Sequence, residues 1–271
     1  MKFGISPFGI WRPGFPESIA GFDQFEKLYA DAKLWLNEGW IDYFVPQLYW
    51  PINRYDQSFP VLLNWWENEN TKSRHLWPGI NTRQAQNALD IDESINQIMI
   101  SRAMLSDRPG SVFWNVDSLT NNLEFHESLT TGPFKKQALV PASKWLDSKA
   151  PVAPVIEPQI VDTMLKLSWQ EASDDDISLW VLYKKYGDNW QYELLPADTL
   201  NIEIERFYSA SEKNIDDKDS KDLNDSEIEP IIFQLSEVAL TSVDRSGNES
   251  SWQSLRVDSY DTEELQVLSN R

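Results

Sequence analysis

Ile41-Asp42-Tyr43-Phe44-Val45-Pro46-Gln47-Leu48-Tyr49-Trp50 is almost entirely apolar or aromatic. A half-solvated strand alternates apolar and polar residues, whereas a strand covered on both faces of a parallel sheet does not. Its flanks support that reading. Upstream, Asp23 to Asn37 carries Phe25, Leu28, Tyr29, Ala32 and Trp35/Leu36 at three- and four-residue steps. This spacing predicts one amphipathic helix, with Gly39 just beyond it as a left-handed cap. Downstream, Ser58 to Asn68 predicts a second helix, with Ser58 at the capping position and Pro60 near the first turn.

The same rhythm extends both ways. Lys2 to Ile10 reads as extended and ends in the turn residues Arg12-Pro13-Gly14. His75 to Ile80 is a third strand, Glu93 to Leu105 a third helix and Ser111 to Val116 a fourth strand. Asn121 to Leu129 is a weaker helix, and another is expected near Trp145. Four β/α units at roughly 35-residue spacing describe a parallel sheet with helical crossovers. No glycine-rich phosphate loop follows any strand. Four units cannot close a barrel, which needs eight, so the expected fold is α/β, half of a (β/α)8 barrel over residues 1–150.

Pro151, Pro154 and Pro158 mark a stiff linker, after which the pattern becomes all-β. Strands are expected at Met164 to Trp169, Leu179 to Tyr186, Leu200 to Ile204, Phe233 to Val243 and Trp252 to Val257, with turns at Gly187-Asp188-Asn189 and Ser246-Gly247-Asn248. About 100 residues of short strands suits an immunoglobulin-like or fibronectin-type sandwich over 151–271, with Trp169 and Tyr183 as core candidates. Within it, 209–230 is a polar, acidic stretch that lacks the glycine and terminal glutamate of an EF-hand loop and reads as solvated and the least ordered internal segment.

Charge divides unevenly. Residues 1–150 hold 14 Lys+Arg against 17 Asp+Glu, and the remainder 10 against 26, giving −3 and −16 of the net −19. An acidic surface repels phosphate backbones, so nucleic acid is a poor partner. No run is apolar and long enough for a transmembrane helix, and Met1 opens no recognisable signal peptide. With no cysteine, disulfides and thiolate chemistry are excluded. No cofactor or metal motif is present; His75 and His126 stand far apart, and His75 opens a strand at the end remote from a barrel active site.

Phe3-Gly4-Ile5-Ser6-Pro7-Phe8-Gly9-Ile10-Trp11-Arg12 resembles a strand motif of the family 10 glycosyl-hydrolase-like proteins of bacteria. The resemblance continues through Leu28-Tyr29-Ala30-Asp31, Gly39-Trp40-Ile41-Asp42-Tyr43, Pro46-Gln47-Leu48-Tyr49-Trp50, Trp65-Trp66, Leu76-Trp77-Pro78-Gly79 and Ala138-Leu139-Val140-Pro141-Ala142. Val243-Asp244-Arg245-Ser246-Gly247-Asn248 resembles the turn of the fibronectin type III appendage that follows such barrels. The resemblance implies a glycoside hydrolase acting on peptide-free peptidoglycan strands, associated with the periplasm or cell envelope and in relatives often a lipoprotein. It also places the first motif past the middle of the barrel, so that an N-terminal half with its own strand ends is the missing partner.

Glycoside hydrolysis needs two carboxyl groups, standing in a barrel at the C-terminal strand ends. The ends here are Trp11-Arg12, Gln47 to Trp50, Gly79-Ile80-Asn81 and Asn115-Val116-Asp117. Only Asp117 is acidic, and it is expected in the loop after its strand. The catalytic pair is therefore expected in the missing half. Substrate positioning is left to Gln47, Tyr49, Trp50, Arg12 and Asn81. Gln47 and Tyr49 share parity and are expected on one side of their strand. Four of these have a structural alternative: Gln47 as an amide satisfying loop backbone, Tyr49 and Trp50 as packing, and Arg12 as the partner of a loop carboxylate. Ser6, within a strand and without a nearby base, is no nucleophile. Trp35, Trp65 and Trp66 are expected in helix packing. A non-catalytic glycan-binding protein and a structural, partner-binding module are the competing readings.

Overall fold

The computed structural model describes residues 1–85, 87–170, 176–210 and 231–257. The chain divides into two compact units, Met1–Ser143 and Lys144–Arg271. The acidic stretch singled out above falls at 211–230 almost wholly outside the described residues. Among the described residues no helix is long and apolar enough to cross a membrane.

In the first unit, β1 (Gly4–Ile5), β2 (Tyr43–Phe44) and β3 (His75–Leu76) pair in parallel. β4 (Gly79–Ile80) pairs in parallel with β5 (Val112–Phe113). Parallel bridges from Gln47 to Phe8 and to Gly79 join the two sets. The result is four extended segments in chain order, with β1 and β5 at its edges. Ladder pairing covers only two residues per strand. The helices α2 (Ala32–Asn37), α3 (Phe59–Glu69), α4 (Ala88–Met104) and α6 (Leu123–Thr131) pack in sequence, α2 on α3, α3 on α4 and α4 on α6.

Trp66 shows how sheet and helices are fixed. It is fully buried, its ring lies 4.7 Å from Phe44, and its indole Nε1 donates to the Gly9 carbonyl at 2.7 Å. Gly9 is required there by close approach: a Cβ would stand 2.3 Å from the Gln47 carbonyl oxygen. Trp65 stacks on Trp11 at 6.0 Å, and both Trp35 and Trp65 pack against the core, as expected of helix-borne tryptophans.

Several expectations are corrected. The helix read over 23–37 is two, α1 (Gln24–Leu28) and α2. Tyr29 takes a left-handed backbone with φ 53°, and Asp31 caps the second helix by accepting from the Leu34 N–H. The apolar stripe therefore breaks, and Leu28 and Tyr29 are exposed. Gly39 does adopt the expected left-handed φ of 69°. Ser58 stands at the N-cap of α3 but donates to the Ile52 carbonyl instead of capping. The third long helix begins earlier than expected, at Ala88, because Asn87 accepts from the Leu89 and Asp90 N–H groups. Residues 144–146, read as helical near Trp145, form a turn.

His75 is buried at the N-terminal end of its strand, with Nε2 3.3 Å from the Ala142 carbonyl. Burial pushes its pKa down from 6.5 to about 4, aided by the Lys2 and Arg108 charges and opposed by the Ala142 hydrogen bond and Asp42. The unfolded chain therefore takes up a proton between about pH 6.5 and 4 that the folded chain refuses, and stability present above pH 6.5 is lost across that window. The loss is about 3 kcal/mol for this group. Urea titrations of wild type and His75→Gln should show this limb in wild type and flatten it in the variant; equal slopes would contradict the assignment.

The second unit is two antiparallel sheets. One has the order β10 (Asn201–Glu205), β7 (Met164–Trp169), β6 (Ile156–Val161). The other has β11 (Phe207–Ala210), β12 (Ile231–Asp244), β8 (Ile177–Tyr186) and β9 (Asn189–Pro196), with β13 (Gln253–Arg256) on β12. Trp169, Trp180, Leu182, Leu235 and Leu240 fill the core between them. β6 lies where the linker was expected; Pro158 is tolerated because β6 is an edge strand. Tyr183 is not a core residue. Trp180 and Leu182 point inward, so Tyr183 takes the opposite face, with its hydroxyl on Glu249 at 2.8 Å.

Candidate functional site

The C-terminal ends of the second and third strand segments enclose a cavity of about 120 Å3 lined by Tyr49, Trp50, Pro51, Asn81, Gln84, Asp90, Glu93, Ser94 and Gln97. A smaller cavity of about 40 Å3, beside Leu76 and Leu105 to Arg108, lies toward the N-terminal strand ends.

The cleft is built by α4. Asn87 fixes the start of that helix, so Asp90, Glu93, Ser94 and Gln97 recur on one face at steps of three and four. Glu93 Oε1 accepts from the Ile52 N–H at 2.7 Å and from Gln97 Nε2 at 3.0 Å, and Gln97 Nε2 also donates to the Trp50 carbonyl at 3.1 Å. The loop carrying Trp50 is thereby tied to the helix. The Trp50 ring also meets Phe8 edge-on at 5.4 Å. Loss of this brace has a direct readout. In Glu93→Ala the Ile52 amide should exchange faster with solvent by about tenfold or more, one lost charge-assisted bond being worth about 1.5–3 kcal/mol. Glu93→Gln, which keeps the acceptor oxygen, should exchange nearly as wild type. Unchanged exchange in Glu93→Ala, followed by NMR, would sink the assignment.

Tyr49 lines the cleft as a neutral phenol able to donate a hydrogen bond, and burial raises its pKa further from the ordinary value. Asn81 Oδ1 is buried and has no hydrogen-bond partner among the described residues, and neither has Asn115 Oδ1 at the end of the adjacent β5 segment. Buried amide oxygens are normally satisfied, and these two mark neighbouring strand ends. The structure thus brings Tyr49, Trp50 and Asn81 together in one cleft.

Gln47 is placed differently: its Nε2 donates to the Ser6 carbonyl at 2.9 Å, tying the first two segments together. Arg12 pairs with Asp23 at 3.3 Å and lies 4.8 Å from the Phe25 ring centroid. The Glu26 N–H, with Arg12 as a lesser cause, holds the Asp23 pKa below the usual carboxylate value. Asp117, expected in a loop, is an exposed residue in the first turn of α5 (Val116–Asn121), where its Oδ1 accepts from Asn121 Nδ2 at 2.6 Å. Asp90, Glu93, Ser94, Gln97 and Asn115 were not singled out from the sequence. A signal for four of them was there: polar residues at 90, 93, 94 and 97 occupy the helix face that should have been apolar. Among the described residues no group of three His, Cys, Asp or Glu side chains could hold a metal ion.

Residues 1–97 match the family model described as Glycosyl hydrolase-like 10, in agreement with the resemblance carried by Phe3 to Arg12 and Pro46 to Trp50. The chain is 39% identical over 167 residues to the glycosyl hydrolase YngK of Bacillus subtilis, covering 57% of this chain and 32% of that protein. It is 36% identical over 86 residues to the glycosyl hydrolase DigH of Escherichia coli, covering 30% of this chain and 19% of that protein. The chain therefore spans about a third or less of the length of these relatives. Among solved structures, the Clostridium perfringens spore cortex lytic enzyme SleM aligns over 85% of both chains at 14% identity and a TM-score of 0.28. Residues 1–97 are thus similar to a glycosyl hydrolase-like family, and the chain is similar to glycosyl hydrolases over 86 to 167 residues.

Proposed function

We propose that the first unit is the C-terminal half of a (β/α)8 barrel of a glycoside hydrolase, and that its strand ends position a glycan chain. Tyr49 and Asn81 serve as hydrogen-bonding groups and Trp50 as a ring-stacking wall. Gln47 and Arg12 hold the neighbouring strand ends that frame them. The general acid and the nucleophile or base come from strand ends of an N-terminal half. The second unit is a fibronectin type III-like appendage. Peptide-free peptidoglycan strands are the proposed substrate, and the cell envelope the proposed location.

One observation carries this reading: the cleft lies at C-terminal strand ends, where barrel enzymes place their chemistry, with an unpartnered buried amide oxygen beside a phenol and an indole. The four parallel segments in chain order and the sequence relation to glycosyl hydrolases support it. A non-catalytic glycan-binding protein is the second reading. It is favoured by a positioning cleft whose carboxylates sit on α4, with Glu93 already committed to the Ile52 amide.

The test is calorimetric titration of peptide-free glycan strands into this chain and its variants. Tyr49→Phe and Asn81→Ala should each weaken binding, by about 0.5–1.5 kcal/mol for an ordinary neutral hydrogen bond. Gln47→Ala should instead lower stability, since its amide joins two segments. Wild-type affinity in both cleft variants would overturn the proposal.

A further inference from the structure

The sandwich carries an aromatic surface that its own packing leaves accessible. Trp252, just before β13, is 51% exposed, and Trp190 and Tyr192 on β9 are each 39% exposed. They gather on the sheet face opposite the core. Tyr183 pairs in register with Tyr192 and Lys185 with Trp190, while Trp180 and Leu182 fill the interior. The Trp252 ring stacks on Tyr183 at 4.2 Å and meets Trp190 edge-on at 5.5 Å.

These rings are held in place. The Tyr183 hydroxyl donates to Glu249 Oε1 at 2.8 Å, and Thr241 Oγ1 donates to the same oxygen at 2.6 Å. Lys185 Nζ lies 5.9 Å from the Trp190 ring centroid, and Lys184 pairs with Glu193 at 3.0 Å. Rings interspersed with charged heads do not make the broad contiguous apolar patch of a protein-docking surface. They do fit a saccharide. Its ring C–H groups carry partial positive charge that suits the negative face of an indole or phenol, and its hydroxyls meet the polar side chains alongside. Tryptophan and tyrosine supply this contact at low entropic cost. The net charge of residues 151–271 bears on the class of glycan: they hold 26 Asp+Glu against 10 Lys+Arg, which disfavours a polyanion.

We propose that Trp190, Tyr192 and Trp252 form a binding platform for a neutral glycan chain on the second unit, additional to the strand-end cleft of the first. The choice of a sugar as occupant rests on the glycan reading of the first unit; the platform itself does not.

The test uses the whole chain in a Tyr49→Ala background, so that binding in the cleft does not mask the platform, with chitohexaose as a neutral probe in calorimetry. Adding Trp252→Ala or Trp190→Ala should weaken binding about tenfold, the loss of one stacked ring. Trp252→Phe, which keeps a ring, should retain most of it. Thermal unfolding identifies a variant that fails to fold; if Trp252→Ala fails, Trp190→Ala on its edge of the cluster carries the test. Undiminished binding in both alanine variants overturns the platform, as does no binding at all in the Tyr49→Ala background. In the latter case, binding by the wild-type chain would leave the cleft reading standing, and no binding by wild type would count against both.

Discussion

Incubated alone with peptide-free glycan strands, the 271-residue chain should release no product. The described strand ends offer Arg12, Tyr49, Trp50, Asn81 and Asn115, none of which donates a proton to a leaving oxygen at neutral pH as a carboxylic acid does. Asp117 is exposed at the start of a helix and occupied by Asn121. Asp90 Oδ2 accepts from Asn87, and Glu93 from the Ile52 N–H and Gln97. Retaining and inverting glycosidases both need two carboxyl groups flanking the scissile bond. A missing positioned acid or base costs about 10²–10⁴-fold by itself. Reducing-end release, followed over a day against a complete relative as positive control, should stay at background. Clear turnover by the isolated chain would contradict the division of labour proposed here and would direct attention to Asp90, Glu93 and Asp117.

The largest effect on stability is expected at Trp66. Replacing it with alanine removes a fully buried indole from between α3 and β2 and leaves the Gly9 carbonyl without its 2.7 Å partner. Truncation of a buried aromatic side chain costs about 3–5 kcal/mol, which is a large share of the stability of a single domain. Trp66→Phe keeps most of the ring and should cost less, mainly the lost hydrogen bond and a small void. Urea unfolding by near-ultraviolet circular dichroism should show the first unit of Trp66→Ala unfolding at much lower urea. A shift no larger than that of an exposed substitution such as Tyr55→Ala would refute the role given to Trp66.

The parallel array was legible because continuous apolar runs such as Ile41 to Trp50 mark strands covered on both faces, and Phe44, Val45 and Leu48 are indeed buried. Element boundaries were less so. The stripe over 23–37 satisfies helical spacing throughout, but Asp31 recaps the chain and Tyr29 leaves the helical region, a local competition that periodicity does not register. Pro158 disguised an edge strand as linker. Tyr183 was misplaced because size suggested burial where strand parity decided against it. The cleft was half legible. Its strand-end residues follow from counting to the ends of strands, while the α4 contribution depends on Asn87 setting the helix phase, which turns 90, 93, 94 and 97 toward the loop after β2.

The most direct measurement is an NMR titration of the side-chain and backbone amides of the first unit with peptide-free glycan strands. The account predicts perturbations confined, within that unit, to Tyr49 to Ile52, the Trp50 indole, the Asn81 and Asn115 amides, and the face of α4 that carries Glu93 and Gln97. Perturbations centred instead on Leu76 and Leu105 to Arg108 at the opposite strand ends, or none in the first unit at saturating glycan, would contradict it.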